Sequence, residues 1–461
     1  MSRDTQIKKR QGRIENVPNL DAPRRRQRAK SVYLFLLDQR CFDALVPGVP
    51  PAIPYSHDKN LLMYAHEALR AGHAVFFSRT LDQARRGAVC KVETVYPIYS
   101  HSESTKAPDG YDVVCSAGIE HLSVRQDFPG AKIVGVVPAL HMIETPLAYG
   151  GEQPIAWINA LRYHVDFIVT QNARMRDIIV TLCQWLARWD PSDRVIVAPL
   201  GYAPEALTSP SRSSARQALG IKDDSVLIAN AGGAWSWTDC DTVVSAFIKY
   251  AKRHDTRIRL YFPGLRQADN TDLNPVADRI EGLKKRHPEM FGEKLRENKP
   301  ICIETSWSDA GRRLPQVLEA ADIGLSVSKK SFESWQSHRV RFVDYLQIEL
   351  PVLCTSESLL AEEISGAALK VEGGDEASYQ KIFKELDNSV EYLESARNEV
   401  LIRREFLRSD VSYANVVRTV EQMDRRVIHH LPPSVLDAER EQIVSQIRSE
   451  VGSALDRKFK I

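Results

Sequence analysis

Residues 225–254 read SVLIANAGGAWSWTDCDTVVSAFIKYAKRH. An apolar run of strand length ends on two glycines, and an amphipathic stretch of helical period follows a short interval later. A strand that turns on glycine into a helix is the building unit of an open parallel sheet, and such sheets take ligands at the carboxyl ends of their strands. Gly232, Gly233 and Ala234 form the turn, and the missing or minimal side chains let backbone approach a ligand closely. A tight turn with no ligand reads the same way, so the turn alone does not establish a site. The fuller dinucleotide pattern G-x-G-x-x-G is absent, which argues against NAD or FAD. Asp239-Cys240-Asp241 has the spacing of a D-x-D metal site. The better reading is a helix start, with Thr238 as N-cap, Asp241 three residues on in a capping box, and both acids favoured by the helix dipole. No metal site follows from it.

Working outward, strands and helices alternate along most of the chain. SVYLFLLD (31–38), AVFFS, YDVVCSAG (111–118), AKIVGVVPALH (131–141), VDFIVTQ (165–171) and RVIVAPLG (194–201) read as buried strands, with helical stretches at 58–72 and 172–188 between them. A second series contains SVLIANAGG, RIRLYFPG (257–264), PICIETSW (300–307), ADIGLSVS (321–328), LPVLCTS (350–356) and AALKVEGG (367–374). This rhythm predicts α/β architecture: two Rossmann-like, doubly wound parallel-sheet domains facing a cleft. The expected boundaries are a basic, disordered tail at 1–30, a first domain at 31–203, a Pro/Ser-rich linker at 204–222 and a second domain at 223–405. A helix at 406–431 then returns toward the first domain, and an amphipathic helix occupies 432–461.

Composition bounds the function. At 461 residues the chain is too long for one core, and 43% hydrophobic with 26% charged residues is ordinary for a soluble globular protein. No window resembles a membrane span or a signal-peptide core. Seven scattered cysteines, an odd number without a C-x-x-C pair, read as buried thiols of a cytoplasmic protein. The net charge of +2 is unevenly spread, because residues 1–30 carry ten Lys/Arg against three acids and the remaining chain is therefore −5. Such a tail is either a solvated arm or an anchor to anionic lipid, each basic side chain near the surface contributing ~1 kcal/mol. The second reading gives peripheral contact at the inner face of the membrane. Nucleic acid is excluded as a partner, because the body is acidic and has no basic face interleaved with aromatics. In the last thirty residues Leu436, Ile443, Ile447, Val451 and Leu455 form one apolar stripe, suited to docking on the body or on a second subunit as a homo-oligomer.

The stretch richest in chemistry is SVSKKSFESWQSHRVRFVDYLQIELPVLCT (326–355). A strand is expected to end near Ser328, a polar loop to follow, and a helix to run from about Ser337 to the strand at Pro351. Arg339 and Arg341 would then lie in its first turn, where cations are disfavoured unless an anion sits there too. Free amides plus the arginines would receive a diphosphate. Asp344 would accept from a ribose diol.

The order glycine turn, RIRLYFPG, VLEAADIGLSVS, polar loop and R-x-R-x-x-D-Y-L-x-x-x-L-P-V-L resembles the donor-binding domain of GT-B glycosyltransferases, especially the retaining group 1 or family-4 enzymes. The resemblance covers roughly 223–405 well and 31–203 only in rhythm. The family's E-x7-E pair corresponds here to Gln336 and Asp344, with Glu333 nearby. Its Gly before Leu-Pro is Glu349, and its basic pair after the glycine turn is replaced by SWTDC. Diphosphate binding must then rest on Arg339, Arg341, Lys329 or Lys330. His141, just beyond a first-domain strand, corresponds to a His that faces the donor sugar, and the loop 101–110 with Glu144 would meet acceptor. The resemblance implies a metal-independent hexosyltransferase-type reaction, retaining at the anomeric carbon. It needs no cofactor beyond a nucleotide-diphosphate-sugar co-substrate and acts on a glycan or glycolipid acceptor, as in bacterial polysaccharide biosynthesis. His141, Glu333 and Arg339 are the catalytic candidates. A UDP-sugar 2-epimerase of the same architecture and a non-catalytic nucleotide-sugar-binding scaffold are the competing readings.

Overall fold

The computed structural model describes residues 30–49, 56–102, 107–117, 122–137, 153–204, 211–235, 237–265, 274–304, 307–405 and 407–425. The basic tail (apart from Lys30), His141, Glu144 and the C-terminal stripe lie outside them. Two sheets organise the chain. The first contains β1 (Val32–Leu36), β2 (Ala74–Ser78), β3 (Cys90–Thr94), β4 (Ser100–Ser102), β5 (Val113–Ala117), β6 (Lys132–Val137), β7 (Phe167–Thr170) and β8 (Val195–Val197), in the order β4-β3-β2-β1-β5-β6-β7-β8. The second contains β9 (Val226–Asn230), β10 (Ile258–Phe262), β11 (Phe291–Gly292), β12 (Ile301–Ile303), β13 (Ile323–Ser326), β14 (Val352–Thr355) and β15 (Ala368–Val371), in the order β11-β12-β10-β9-β13-β14-β15. In each sheet the order reverses beside the first strand, between β1 and β5 and between β9 and β13. Those are the points where an open sheet leaves a crevice at its carboxyl edge.

The second sheet is wholly parallel, as the alternating rhythm predicts. The first departs at one edge, where β3 and β4 run antiparallel to their neighbours. Short half-polar strands such as CKVET, with burial alternating along the chain, suit an edge with one face in water, and their weak apolar signal is why the sequence rhythm passes over them.

Three strands begin with the same device. Asp112, Asp166 and Asp322 each stand just before a central strand and bond the neighbouring strand twice. The Asp backbone N–H donates to the carbonyl of Val32, Ile133 or Leu227 at 2.9, 2.8 and 2.8 Å, and the carboxylate accepts that same residue's N–H at 2.7, 2.7 and 2.9 Å. The amino edge of a parallel sheet otherwise leaves such N–H groups without a ladder partner. The two buried carboxylates are neutralised as well: Asp166 by Arg125, and Asp322 by Arg212, Arg216 and Arg397, the last two at 3.0 Å.

The expected linker contains a helix. Within 204–222 the chain forms a helix, Arg212–Leu219, N-capped by Ser211 and stopped by Gly220 at φ 67°. Both prolines, Pro204 and Pro210, precede the helix, whereas SSARQAL has helical period, and buried Arg216 binds it to the base of the second sheet.

The chain crosses between the domains twice. Residues 201–203 leave the first domain, and residues 407–409 return to it before the helix Ser409–Gln422 packs on the first-domain helix Ser56–Arg70. The two crossings lie side by side: Tyr202 N–H donates to Leu407 O at 3.0 Å, and Ser409 N–H to Tyr202 O at 2.9 Å. Gly201 permits this approach, because a Cβ there would stand 2.0 Å from Leu407 O. Tyr413 on the returning helix is fully buried and donates to Asn60 Oδ1 at 2.5 Å. No helix among the described residues is long and apolar enough to cross a membrane.

All seven cysteines are buried thiols. Burial pushes Cys240 up to about 11, and Cys302 and Cys354 up to about 12. Since the thiolate is the reactive form, native protein at pH 8 is expected to react negligibly with Ellman's reagent over minutes, and to release seven equivalents once unfolded in guanidinium. Two or more fast-reacting thiols in the native state would contradict the packing.

Candidate functional site

The crevice between β9 and β13 is built around one side chain. Tyr345, fully buried on the helix Arg341–Gln347, donates its hydroxyl to Leu325 O on β13 at 2.7 Å, with Ala229 O of β9 at 3.2 Å, and accepts the Ala231 N–H at 2.9 Å. Burial raises the phenol's pKa, so it stays a neutral donor. The ring fits because residue 324 is glycine: a Cβ there would meet it at 2.5 Å.

Above this latch the glycine turn meets the arginine pair. Arg341 donates from Nη1 to Asn230 Oδ1 at 2.6 Å, and its guanidinium covers Gly232, where a Cβ would lie 2.8 Å from Nη2. Asn230 in turn bonds Gly232 O. Arg339 is buried, with its guanidinium carbon 3.9 Å from the ring centroid of Trp237, and Arg341 reaches the same ring at 5.7 Å. Two guanidinium groups and the backbone of 231–234 therefore share one corner at the carboxyl end of β9. An array of that kind stabilises negative charge brought against it.

The local geometry corrects two expectations. The helix begins at Arg341 instead of near Ser337, and a separate short helix, Phe332–Gln336, precedes it. Ser337, His338 and Arg339 look like a polar helix start, yet all three are buried, and His338 pairs with Glu363 while Arg339 stacks on Trp237. The capping box at Thr238 is not formed either. Thr238 Oγ1 donates to Trp235 O, and the cap position falls on Asp239. Asp239 is a structural anion: its carboxylate accepts from Thr242 Oγ1, Gly374 N and Tyr379 Oη at 2.7, 2.8 and 2.8 Å. Asp241 takes Arg279 at 2.8 Å and Lys329 at 3.9 Å. Lys330 is exposed in the loop after Ser328.

The first domain reaches this corner from the other side. Asn172 caps the helix Ala173–Ala187 through Oδ1 and donates from Nδ2 to Gln336 O at 2.8 Å. Arg174 donates to Trp335 O and to Glu362 Oε2, both at 2.7 Å. Asp344, the residue expected to meet a ribose, forms an ion pair with Lys59 of the helix Ser56–Arg70. Glu333 lies on the short helix that Asn172 and Arg174 hold. Thus Arg341 meets the turn at Gly232 and shares the Trp237 ring with Arg339, while Gly233 and Ala234 continue the turn toward Leu265, and Gln336 and Asp344 lie where the domains meet. Lys329 turns toward Asp241. Asn230, Trp237, Lys59, Asn172 and Arg174 were not singled out from sequence. Trp237 had a signal, an aromatic where a cation was missing, but the others are set by tertiary contact alone.

This chain matches no family model and no curated protein, but its fold has counterparts among solved structures. Anabaena HepE in complex with UDP-glucose superposes with a TM-score of 0.57 at 14% identity, covering 85% of this chain and 100% of that one. The sucrose-phosphate synthase of Thermosynechococcus elongatus gives 0.57 at 13% identity, covering 86% and 99%. The trehalose-6-phosphate synthase OtsA gives 0.50 at 13% identity, covering 68% and 73%. The fold is GT-B. At these identities the likeness is one of architecture.

The two glycines facing side chains differ in what a substitution costs. Gly232→Ala pushes only the mobile end of Arg341 and is expected to change the unfolding free energy by less than ~1 kcal/mol. Gly324→Ala drives a methyl into the buried Tyr345 ring and is expected to cost ~1–3 kcal/mol or more. Urea unfolding followed by circular dichroism checks both, and equal effects would contradict the latch.

Proposed function

We propose that this protein is a glycosyltransferase that moves a sugar from a nucleotide-diphosphate-sugar to a glycan or glycolipid acceptor, with retention and without a metal. The observation that carries the reading is the placement of Arg341 over Asn230 and Gly232, with Arg339 beside it on the shared Trp237 ring, at the carboxyl end of β9. The resemblance of R-x-R-x-x-D-Y-L to donor-binding motifs supports it, as does the UDP-glucose held by the structurally similar HepE.

In the reaction the bond from the anomeric carbon to the diphosphate breaks, and negative charge collects on the leaving phosphates. Arg341, with Arg339 once it leaves the Trp237 face, neutralises that charge, while the amides of the turn add fixed dipoles. Positive charges fixed in advance stabilise the leaving group without the reorganisation that water would need. Glu333 and Gln336 orient sugar hydroxyls from the short helix, and the resemblance assigns His141 to the donor sugar. Asp344 exchanges Lys59 for the donor's ribose.

Isothermal titration with UDP, UDP-glucose and other nucleotide-sugars tests this, followed by an assay for slow donor hydrolysis. Arg339→Ala combined with Arg341→Ala is expected to weaken nucleoside-diphosphate affinity at least tenfold, or ~1.4 kcal/mol. Unchanged affinity in the folded double variant rejects the phosphate position, and binding without hydrolysis or transfer favours the scaffold reading.

A further inference from the structure

A second concavity lies in the first domain, away from the arginine corner. A cavity of about 530 Å³ opens where β2 ends at Ser78, β3 begins at Cys90 and β4 passes His101. Phe42 and Phe77 supply its apolar lining, and Arg79, Gln83, Arg86 and His101 supply polar groups. That volume lies within the range that holds small molecules, and apolar walls with a few polar groups are the usual make-up of such sites.

The charge of the lining is one-sided. It holds two guanidinium groups and an imidazole, and no carboxylate among the described lining residues. Neither arginine is committed to a strong partner. Arg79 lies 4.8 Å over the Phe42 ring and 3.4 Å from Asp43 Oδ1, in a pair whose side chains are 42% and 48% exposed. Exposed pairs of that kind contribute ~0–1 kcal/mol and yield readily to a better anion. Arg86 is exposed and donates from Nε to a backbone carbonyl, Asp82 O, at 3.2 Å. His101 stacks on Tyr99 at 5.4 Å, and its buried Nδ1 has no hydrogen-bond partner among the described residues.

The cavity also stands on the right edge of the sheet. Leu37, just past β1, donates its N–H to Ser78 O at 3.0 Å, so the ends of β1 and β2 lie together. Next along the chain, Asp38 N–H bonds Asp58 Oδ1 at 3.2 Å, at the start of the helix whose Lys59 meets Asp344 of the second domain. The cavity therefore shares the carboxyl edge that faces the arginine corner.

We propose that this cavity binds the anionic group of a sugar-sized molecule, a phosphate or a carboxylate, through Arg79 and Arg86, and that this molecule is the acceptor. Arginine forks match both groups with paired hydrogen bonds. The word acceptor rests on the glycosyltransferase reading, whereas the binding of an anionic sugar does not. Titration calorimetry on the full chain tests it with glucose 6-phosphate, glucuronate, inorganic phosphate, neutral glucose, and phosphatidylcholine vesicles with and without phosphatidylglycerol. At least one anionic sugar is expected to bind while glucose does not. Arg79→Gln with Arg86→Gln is expected to weaken that binding at least tenfold and to leave UDP affinity unchanged, which reports an intact fold. Preference between glucose 6-phosphate and glucuronate assigns the anion. Failure of both sugars to bind, binding unaltered in the double variant, or binding of phosphatidylglycerol vesicles alone overturns the proposal. Anionic sugar binding in a chain that takes no nucleotide upholds the cavity and removes the glycosyltransferase reading instead.

Discussion

Tyr345 is the side chain on which the crevice depends. An open sheet whose strand order reverses leaves two neighbouring strands, here β9 and β13, with helices departing to opposite sides. Nothing in the strands' own ladder fixes the chain beyond their carboxyl ends. The Tyr345 hydroxyl supplies that constraint by bonding both strands and the first amide beyond β9, and Gly324 leaves the room it needs. Because Tyr345 and Arg341 share one short helix, fixing the ring also sets where the guanidinium falls over Gly232. Sheet topology and local charge are thereby joined through seven residues.

Much of the architecture was legible in the sequence for identifiable reasons. Parallel strands buried on both faces read as uninterrupted apolar runs, and VLIAN, IRLYF and VLCT stood out against charged helices. The same criterion passed over β3, whose burial alternates, and β4, a half-buried run of three polar residues. The helix inside the expected linker was passed over because Pro and Ser dominated a window that also held a capped helix. The aspartates preceding β5, β7 and β13 were visible as single acids before apolar runs, and only the pairing of strands gives them meaning.

The candidate site was legible in composition more than in arrangement. R-x-R-x-x-D-Y-L drew attention to the segment that meets Asn230 and Gly232, but periodicity placed Arg339 in a helix. Tertiary packing overrides that local preference, since His338 and Arg339 are buried against partners, Glu363 and Trp237, contributed from distant parts of the chain. Trp237 illustrates the limit most clearly. It stands where the resemblance calls for a basic residue, and instead of carrying charge it gathers two cations from another segment, Arg339 ahead of the helix and Arg341 at its start. A search for like residues at like positions finds a deficit there. The folded chain restores the charge from elsewhere, and Asp344 paired with Lys59 shows the reverse case, an expected ligand group already engaged across the cleft.

The paired crossings at Tyr202 and Leu407 have a mechanical outcome. Two separate tethers would let the lobes slide and tilt independently, whereas tethers bonded to each other behave as one spindle. Opening then reduces to a swivel about a single line, with the arginine corner and the first-domain cavity sweeping along a common arc. Whatever the lobes enclose must match one coordinate, the opening angle, and the compactness of residue 201 keeps that spindle thin.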